Sequence, residues 1–233
     1  MVPVLINASC IDTLKSMGNN SVDMVLTDIP YDCVNRASNG LRNLDKGDAD
    51  PITFDLTEFC NELYRVCKGT IYIFCSYHQT AEMRAAFEKL KCSIRYCVWE
   101  KTNPSPMNGQ HVWLSSIESC MFIKKPGAPF HEHCKSAVWR ETVERSIKGH
   151  PTPKPVLLLK RLIEASSNPG DTVFDPCMGS GSTGLACKMT GRNFIGCDIN
   201  PEYVANAIER INNLDIDSNP WQKKLLKRML WDN

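Results

Sequence analysis

The sequence predicts an α/β domain, a largely parallel sheet wrapped by helices on both faces. Two observations carry this. Six short apolar segments, each bounded by turn residues, recur along the 233-residue chain. Near-continuous apolar runs of that length suit strands covered on both faces. Between them lie stretches of helical length and pattern, and strand–helix alternation argues for parallel strands joined by helical crossovers.

The strand candidates are 22–27, 70–75, 93–99, 117–123, 171–175 and 193–197; the helix candidates are about 53–67, 78–90, 154–167, 182–190 and 201–213. Asn200-Pro201 reads as a cap followed by proline at the first helical position. Residues 32–51 are rich in Asn, Gly, Asp and Arg and are expected to form a long flexible loop, a kind often functional. Residues 124–152 carry Pro, Gly, three histidines and mixed charges, and read as a small insertion. The last thirteen residues, WQKKLLKRMLWDN, place Trp221, Leu225 and Met229 on one face and read as a basic amphipathic helix closing on the core.

Lys plus Arg number 27 and Asp plus Glu 26, so no strong nucleic-acid field appears in the total, although local basic patches remain open. There are twelve cysteines but no C-x-x-C pair. Residues 1–7 lack a basic, apolar leader, so the thiols are expected to be reduced, in a cytoplasmic compartment. No apolar run reaches the roughly 18 residues of a spanning helix, and no membrane partner is expected.

Residues 173–184 read VFDPCMGSGSTG. Gly179, Gly181 and Gly184 satisfy G-x-G-x-x-G between a strand and a helix, and Asp198 stands nineteen residues after Gly179, at the end of the next strand. That spacing fits a nucleotide-type site with the acid on ribose hydroxyls. A ligand-free turn, a dinucleotide and S-adenosylmethionine are the alternatives. Asp175 and Pro176 precede the glycines. A carboxylate there would repel a pyrophosphate and attract a sulfonium ligand bearing an ammonium group. No Gly-Lys-Ser/Thr follows, which excludes a P-loop.

A second corner reads TDIPYD, residues 27–32. It sets Asp28, Pro30 and Tyr31 at the end of a buried strand. With Asp-Pro-x-x-Gly-Ser-Gly-Ser-Thr-Gly after a later strand, the chain resembles the β class of DNA amino-methyltransferases. His150-Pro-Thr-Pro-Lys-Pro155 is similar to that class's third cofactor-binding motif. Gly196-Cys-Asp-Ile-Asn-Pro-Glu-Tyr203 resembles its ribose-binding segment. Trp99-Glu-Lys-Thr-Asn-Pro-Ser-Pro106 and Glu118 also look family-like. The resemblance covers about residues 4–210.

It implies a Rossmann-like, S-adenosylmethionine-dependent methyltransferase fold over 1–233, seven-stranded with one antiparallel strand, and a target-recognition insertion at about 101–149. The implied function is methyl transfer to adenine N6 in DNA, within restriction–modification. Cytosine-N4 transfer, or a catalytically impaired DNA-binding subunit, are the alternatives. The implied catalytic residues are Asp28, Ile29, Pro30 and Tyr31. Those implied for the cofactor are Pro153, Lys154, Asp175, Pro176, Cys177, Gly179, Ser180, Gly181, Thr183, Asp198, Ile199 and Asn200. Of these, Ser180 and Thr183 would line the methionine end, Asp198 hold ribose, and Lys154 serve the tail carboxylate or the substrate.

The residue types suit this chemistry. An aromatic amine delocalises its lone pair into the ring and is a poor nucleophile. The Asp28 carboxylate and the Ile29 carbonyl can accept its two N–H groups and favour pyramidalisation. Pro30 fixes the turn, and Tyr31 offers a ring for a base rotated out of double-stranded DNA. The family usually has proline at position 29. Ile29 keeps the carbonyl, but its N–H and freer φ are expected to loosen the turn. Arg36, Arg42, Lys101, Lys135 and Arg140 are candidate phosphate contacts on the recognition surface and the 32–51 loop. The short insertion suggests relaxed specificity, or specificity shared across a homodimer. His131-Glu132-His133-Cys134 is too contiguous to converge on one metal ion, and none is expected.

Overall fold

The computed structural model describes residues 2–31, 52–106, 109–144, 153–216, 218–221 and 223. In chain order the elements are β1 (Val4–Asn7), α1 (Cys10–Ser16), β2 (Val22–Asp28), α2 (Leu56–Val66), β3 (Cys67–Cys75), α3 (Thr80–Glu88) and β4 (Ser93–Lys101). There follow β5 (Ile117–Lys124), β6 (Val138–Glu141), α4 (Val156–Ser166), β7 (Thr172–Asp175), α5 (Ser182–Thr190), β8 (Asn193–Asp198) and α6 (Pro201–Asn212). All six expected strands and five expected helices are present, and β1, β6 and α1 are additional.

The strands form one sheet in the order β1-β8-β7-β2-β3-β5-β4-β6. Seven run parallel and β5 runs against its neighbours β3 and β4. One antiparallel strand was expected, but in a sheet of seven. The sheet has eight because β6, from the insertion, pairs with β4. Side chains hold it there: Trp139 packs on Tyr72 and Phe74, and the Trp99 indole N–H donates to the Glu141 carbonyl at 3.0 Å.

The central strands are apolar throughout because both faces are covered. Met24, Leu26, Tyr72 and Phe74 point to a cluster with α4, α5 and α6, while Val25, Ile71 and Ile73 point to one with α1, α2 and α3. Each such buried side chain contributes about 1.5–3 kcal/mol. Helix starts follow local chemistry. Asp55 accepts from the Glu58 N–H at the head of α2, and Asn200 from the Glu202 N–H ahead of α6, with Pro201 in the first turn.

Of the expected closing helix, residues 222 and 224–233 lie outside the described residues. Trp221 is half-buried against the core and donates its indole N–H to Glu144 Oε1 at 2.7 Å. No helix among the described residues is long and apolar enough to cross a membrane.

β2 and β7 are neighbours. From β2 the chain proceeds to β3 on one side; from β7 it proceeds to β8 on the other. Parallel strands at such a switch point open a crevice beyond their carboxyl ends. Asp28 ends β2 and Asp175 ends β7, so topology alone brings the two corners to one place.

Candidate active site

A cavity lies at that switch point. Leu26, Asp28 and Phe74 line one wall, and Asp175, Gly179, Ser180 and Thr183 line the other, with Lys154 between them. The acid corner and the glycine turn therefore share a single crevice.

The turn after β2 is tied down at its backbone. The Ile29 N–H donates to the Phe74 carbonyl at 3.1 Å, carrying the β2–β3 ladder one residue further. Its side chain is buried in the core. The expected loosening at Ile29 is thus offset by a bond that proline could not make. Buried Gln79 closes the other side, donating its amide to the Pro30 carbonyl at 2.8 Å and accepting from the Ser76 N–H at 2.8 Å.

Charged side chains meet above this turn. The Tyr31 hydroxyl lies 2.9 Å from Asp28 Oδ1 and 3.2 Å from Glu118 Oε2, one proton facing two carboxylates. The Lys154 ammonium donates to Asp28 Oδ2 at 2.5 Å and lies 3.0 Å from Glu118 Oε2. Lys101 pairs with Glu118 Oε1 at 2.9 Å. Burial raises the Asp28 carboxyl and Lys154 opposes it. Burial would also raise Glu118, but Lys154 and then Lys101 override it and hold Glu118 at about 2. Burial disfavours the Lys154 ammonium, and Asp28 and Glu118 more than compensate, so it stays protonated. Burial, then Asp28, lifts the Tyr31 hydroxyl well above its usual range.

Across the crevice, Asp175 is buried. Thr183 donates to its Oδ2 at 2.6 Å and the Cys177 N–H to its Oδ1 at 3.2 Å, while burial pushes its carboxyl up to about 7. Asp198, at the end of β8, accepts the Gly179 N–H on one oxygen and the Asn200 N–H on the other, each at 2.9 Å, and so clips the loop to the sheet. Gly179 and Gly181 take φ of 47° and 74°, the left-handed region where glycine is favoured. The loop is also tied to Cys197, whose carbonyl accepts the Met178 N–H and whose thiol lies 3.1 Å from the Pro176 carbonyl. Ile199 is exposed beside this clip, and Pro153 is buried next to Lys154.

The candidate phosphate contacts separate. Lys101 is taken up by Glu118 with its side chain 16 % exposed, so it belongs to the acid corner. Arg140 is exposed and pairs with Glu100 at 2.9 Å, and Lys135 is exposed on the segment before β6. Arg36 and Arg42 lie outside the described residues. In the histidine-rich tract, Glu132 binds Arg161 through both oxygens at 2.8 and 2.6 Å. The sequence carries no signal for Gln79, and for Glu118 only the family resemblance. Neither sits in a local pattern that would reveal its partners.

The model for the N6_N4_Mtase family, described as DNA methylase, matches residues 22–209. The Type II methyltransferase M2.DpnII of Streptococcus pneumoniae is 30% identical over 238 residues, spanning 89% of this chain and 89% of its own. M.HinfI of Haemophilus influenzae is 28% identical, covering 95% of this chain and 71% of its own. Among solved structures, the M1.HpyAVI–SAM complex superposes with a TM-score of 0.69 at 27% identity, over 89% of this chain and 98% of that one. The cytosine-N4-specific PvuII DNA methyltransferase gives 0.68 at 15% identity over 99% of this chain and 93% of that one, a likeness of fold. The chain is therefore a DNA amino-methyltransferase of the N6/N4 family, whose methyl donor is S-adenosylmethionine.

Proposed function

We propose that the protein methylates adenine N6 in double-stranded DNA, using Asp28, the Ile29 carbonyl, Pro30 and Tyr31 as the catalytic corner. The observation that carries this is the crevice shared by Asp28 and the glycine turn. The residues present fit the cofactor. A buried carboxylate, Asp175, lies in the cavity for a cationic ligand, and Asp198 stands at the end of the next strand with lone pairs left for ribose hydroxyls. Ser180 and Thr183 line the same wall, and Ile199 and Asn200 flank Asp198.

When bound, S-adenosylmethionine supplies an electrophilic methyl group on sulfur. The protein's part is to hold the amine in line with it. Asp28 accepts one N–H of the amine and the Ile29 carbonyl the other. Burial raises the Asp28 carboxyl and the Lys154 ammonium opposes that rise, so Asp28 orients the amine first and relieves its proton once the new bond has formed. Tyr31, fixed through its hydroxyl, stacks on the extruded base. Lys135 and Arg140 contact phosphates.

The test is transfer from labelled cofactor to mixed-sequence DNA, followed by digestion and nucleoside separation. N6-methyldeoxyadenosine is expected. N4-methyldeoxycytidine would overturn the base assignment. Cofactor binding without transfer would identify a DNA-binding subunit that does not turn over.

A further inference from the structure

The acid corner holds more charge than Asp28 and one partner require. Glu118 stands on β5, opposite Trp99 of β4, with its side chain 18 % exposed. Its two oxygens divide two cations, Oε1 taking Lys101 at 2.9 Å and Oε2 taking Lys154 at 3.0 Å. Lys154 in turn reaches Asp28. Four ionised groups therefore alternate in a line: Lys101, Glu118, Lys154, Asp28. Shielding such a line from water opposes its Coulomb gain, and apolar residues of similar volume would stabilise the fold as well. Its outer pair is better explained by what it does to the inner pair.

We propose that Glu118 and Lys101 are positioning residues that set how tightly the Lys154 ammonium holds Asp28, and so how much negative charge Asp28 offers the target amine. This rests on the assignment of Asp28 made above.

The groups facing Asp28 come from every neighbouring element. They are Tyr31 on its own turn, Cys75 at the end of β3, Glu118 and Cys120 on β5, Lys154 ahead of α4 and Asp175 at the end of β7. Of the charged groups, Lys154 and then Glu118 act on it most strongly. The two outer residues act in opposite senses. Without the Glu118 charge, one anion leaves the corner and Lys154 is released wholly to Asp28; both changes make Asp28 harder to protonate. Without Lys101, one cation leaves and Glu118 draws Lys154 toward itself; both changes make Asp28 easier to protonate.

The experiment is the pH dependence of single-turnover methyl transfer in wild type, Glu118→Gln, Lys101→Met and Asp28→Asn, with cofactor affinity measured in each as a check on folding. The acid limb is expected to move down by about half a pH unit or more in Glu118→Gln and up by a similar amount in Lys101→Met. Affinity for the cofactor should stay within about twofold of wild type. Acid limbs that stay in place, or move in the same direction, overturn the proposal while Asp28→Asn inactivity leaves the Asp28 assignment standing. Transfer that survives in Asp28→Asn overturns that assignment, and the proposal with it. If Glu118→Gln folds poorly, Lys101→Met and Lys101→Arg decide alone: the first must raise the limb and the second must restore it.

Discussion

The Lys154 ammonium stands 2.5 Å from Asp28 Oδ2, although the two residues are 126 positions apart. The bond joins the segment before α4 to the end of β2, and it sits in the crevice that the glycine turn also lines. Lys154 also touches Glu118, so it bridges two carboxylates.

Replacing Lys154 by Met should therefore leave two anions facing each other. The expected loss is about 1–3 kcal/mol at pH 7, below the full cost of breaking a buried pair because Asp28 is a third exposed. The deficit should shrink as pH falls and the carboxylates take up protons. Denaturant unfolding at several pH values checks this. Wild-type stability at every pH would show that the cation is dispensable.

Asp175 predicts a pH-dependent cofactor affinity. Its carboxyl is raised to about 7 by burial, so its contribution to stability is present at low pH and is lost as pH rises through about 7. A cationic ligand favours the ionised form, so binding below pH 7 must release a proton. Affinity should rise with pH between about 5.5 and 7, by up to about tenfold per unit. Calorimetric titration of wild type and Asp175→Asn checks it, and the variant should lose the dependence.

Ile29→Pro would restore the residue usual in the family, yet it should destabilise this chain. It removes the N–H bond to Phe74 and a buried side chain, together about 2 kcal/mol. Thermal unfolding measures this. An unchanged or higher midpoint would mean that the ladder bond contributes nothing.

Much of the fold was legible because strands buried on both faces leave unbroken apolar runs. Such a run marks β2, where Val25 serves one core and Leu26 the other. β1 and β6 escaped notice because they are four-residue strands at the two edges of the sheet, half open to solvent and too short for a pattern. Asp28, Tyr31 and the glycines stood out because turn chemistry at strand ends is local. The charge line did not. Tyr31 and Glu118 are 87 residues apart, and Lys101 carries no mark distinguishing a phosphate contact from a partner of Glu118. Residue type alone suggested the surface for Lys101, and the antiparallel pairing of β4 with β5 places it in the corner instead.

Lys135→Glu and Arg140→Glu test the DNA face. Each should weaken duplex binding across sequences and lower the slope of log affinity against log salt by about one, since each phosphate contact contributes about that much. Electrophoretic or anisotropy titration over a salt series measures it. An unchanged slope would make these ordinary solvated charges, with Arg140 engaged by Glu100.

The proposed function requires chemistry to occur where Asp28 faces the glycine turn. The most direct measurement is single-turnover transfer by Asp28→Asn beside its affinity for S-adenosylmethionine. Transfer should fall by at least about a hundredfold with cofactor affinity nearly unchanged. Transfer at the wild-type rate, or loss of cofactor binding in place of transfer, would contradict it.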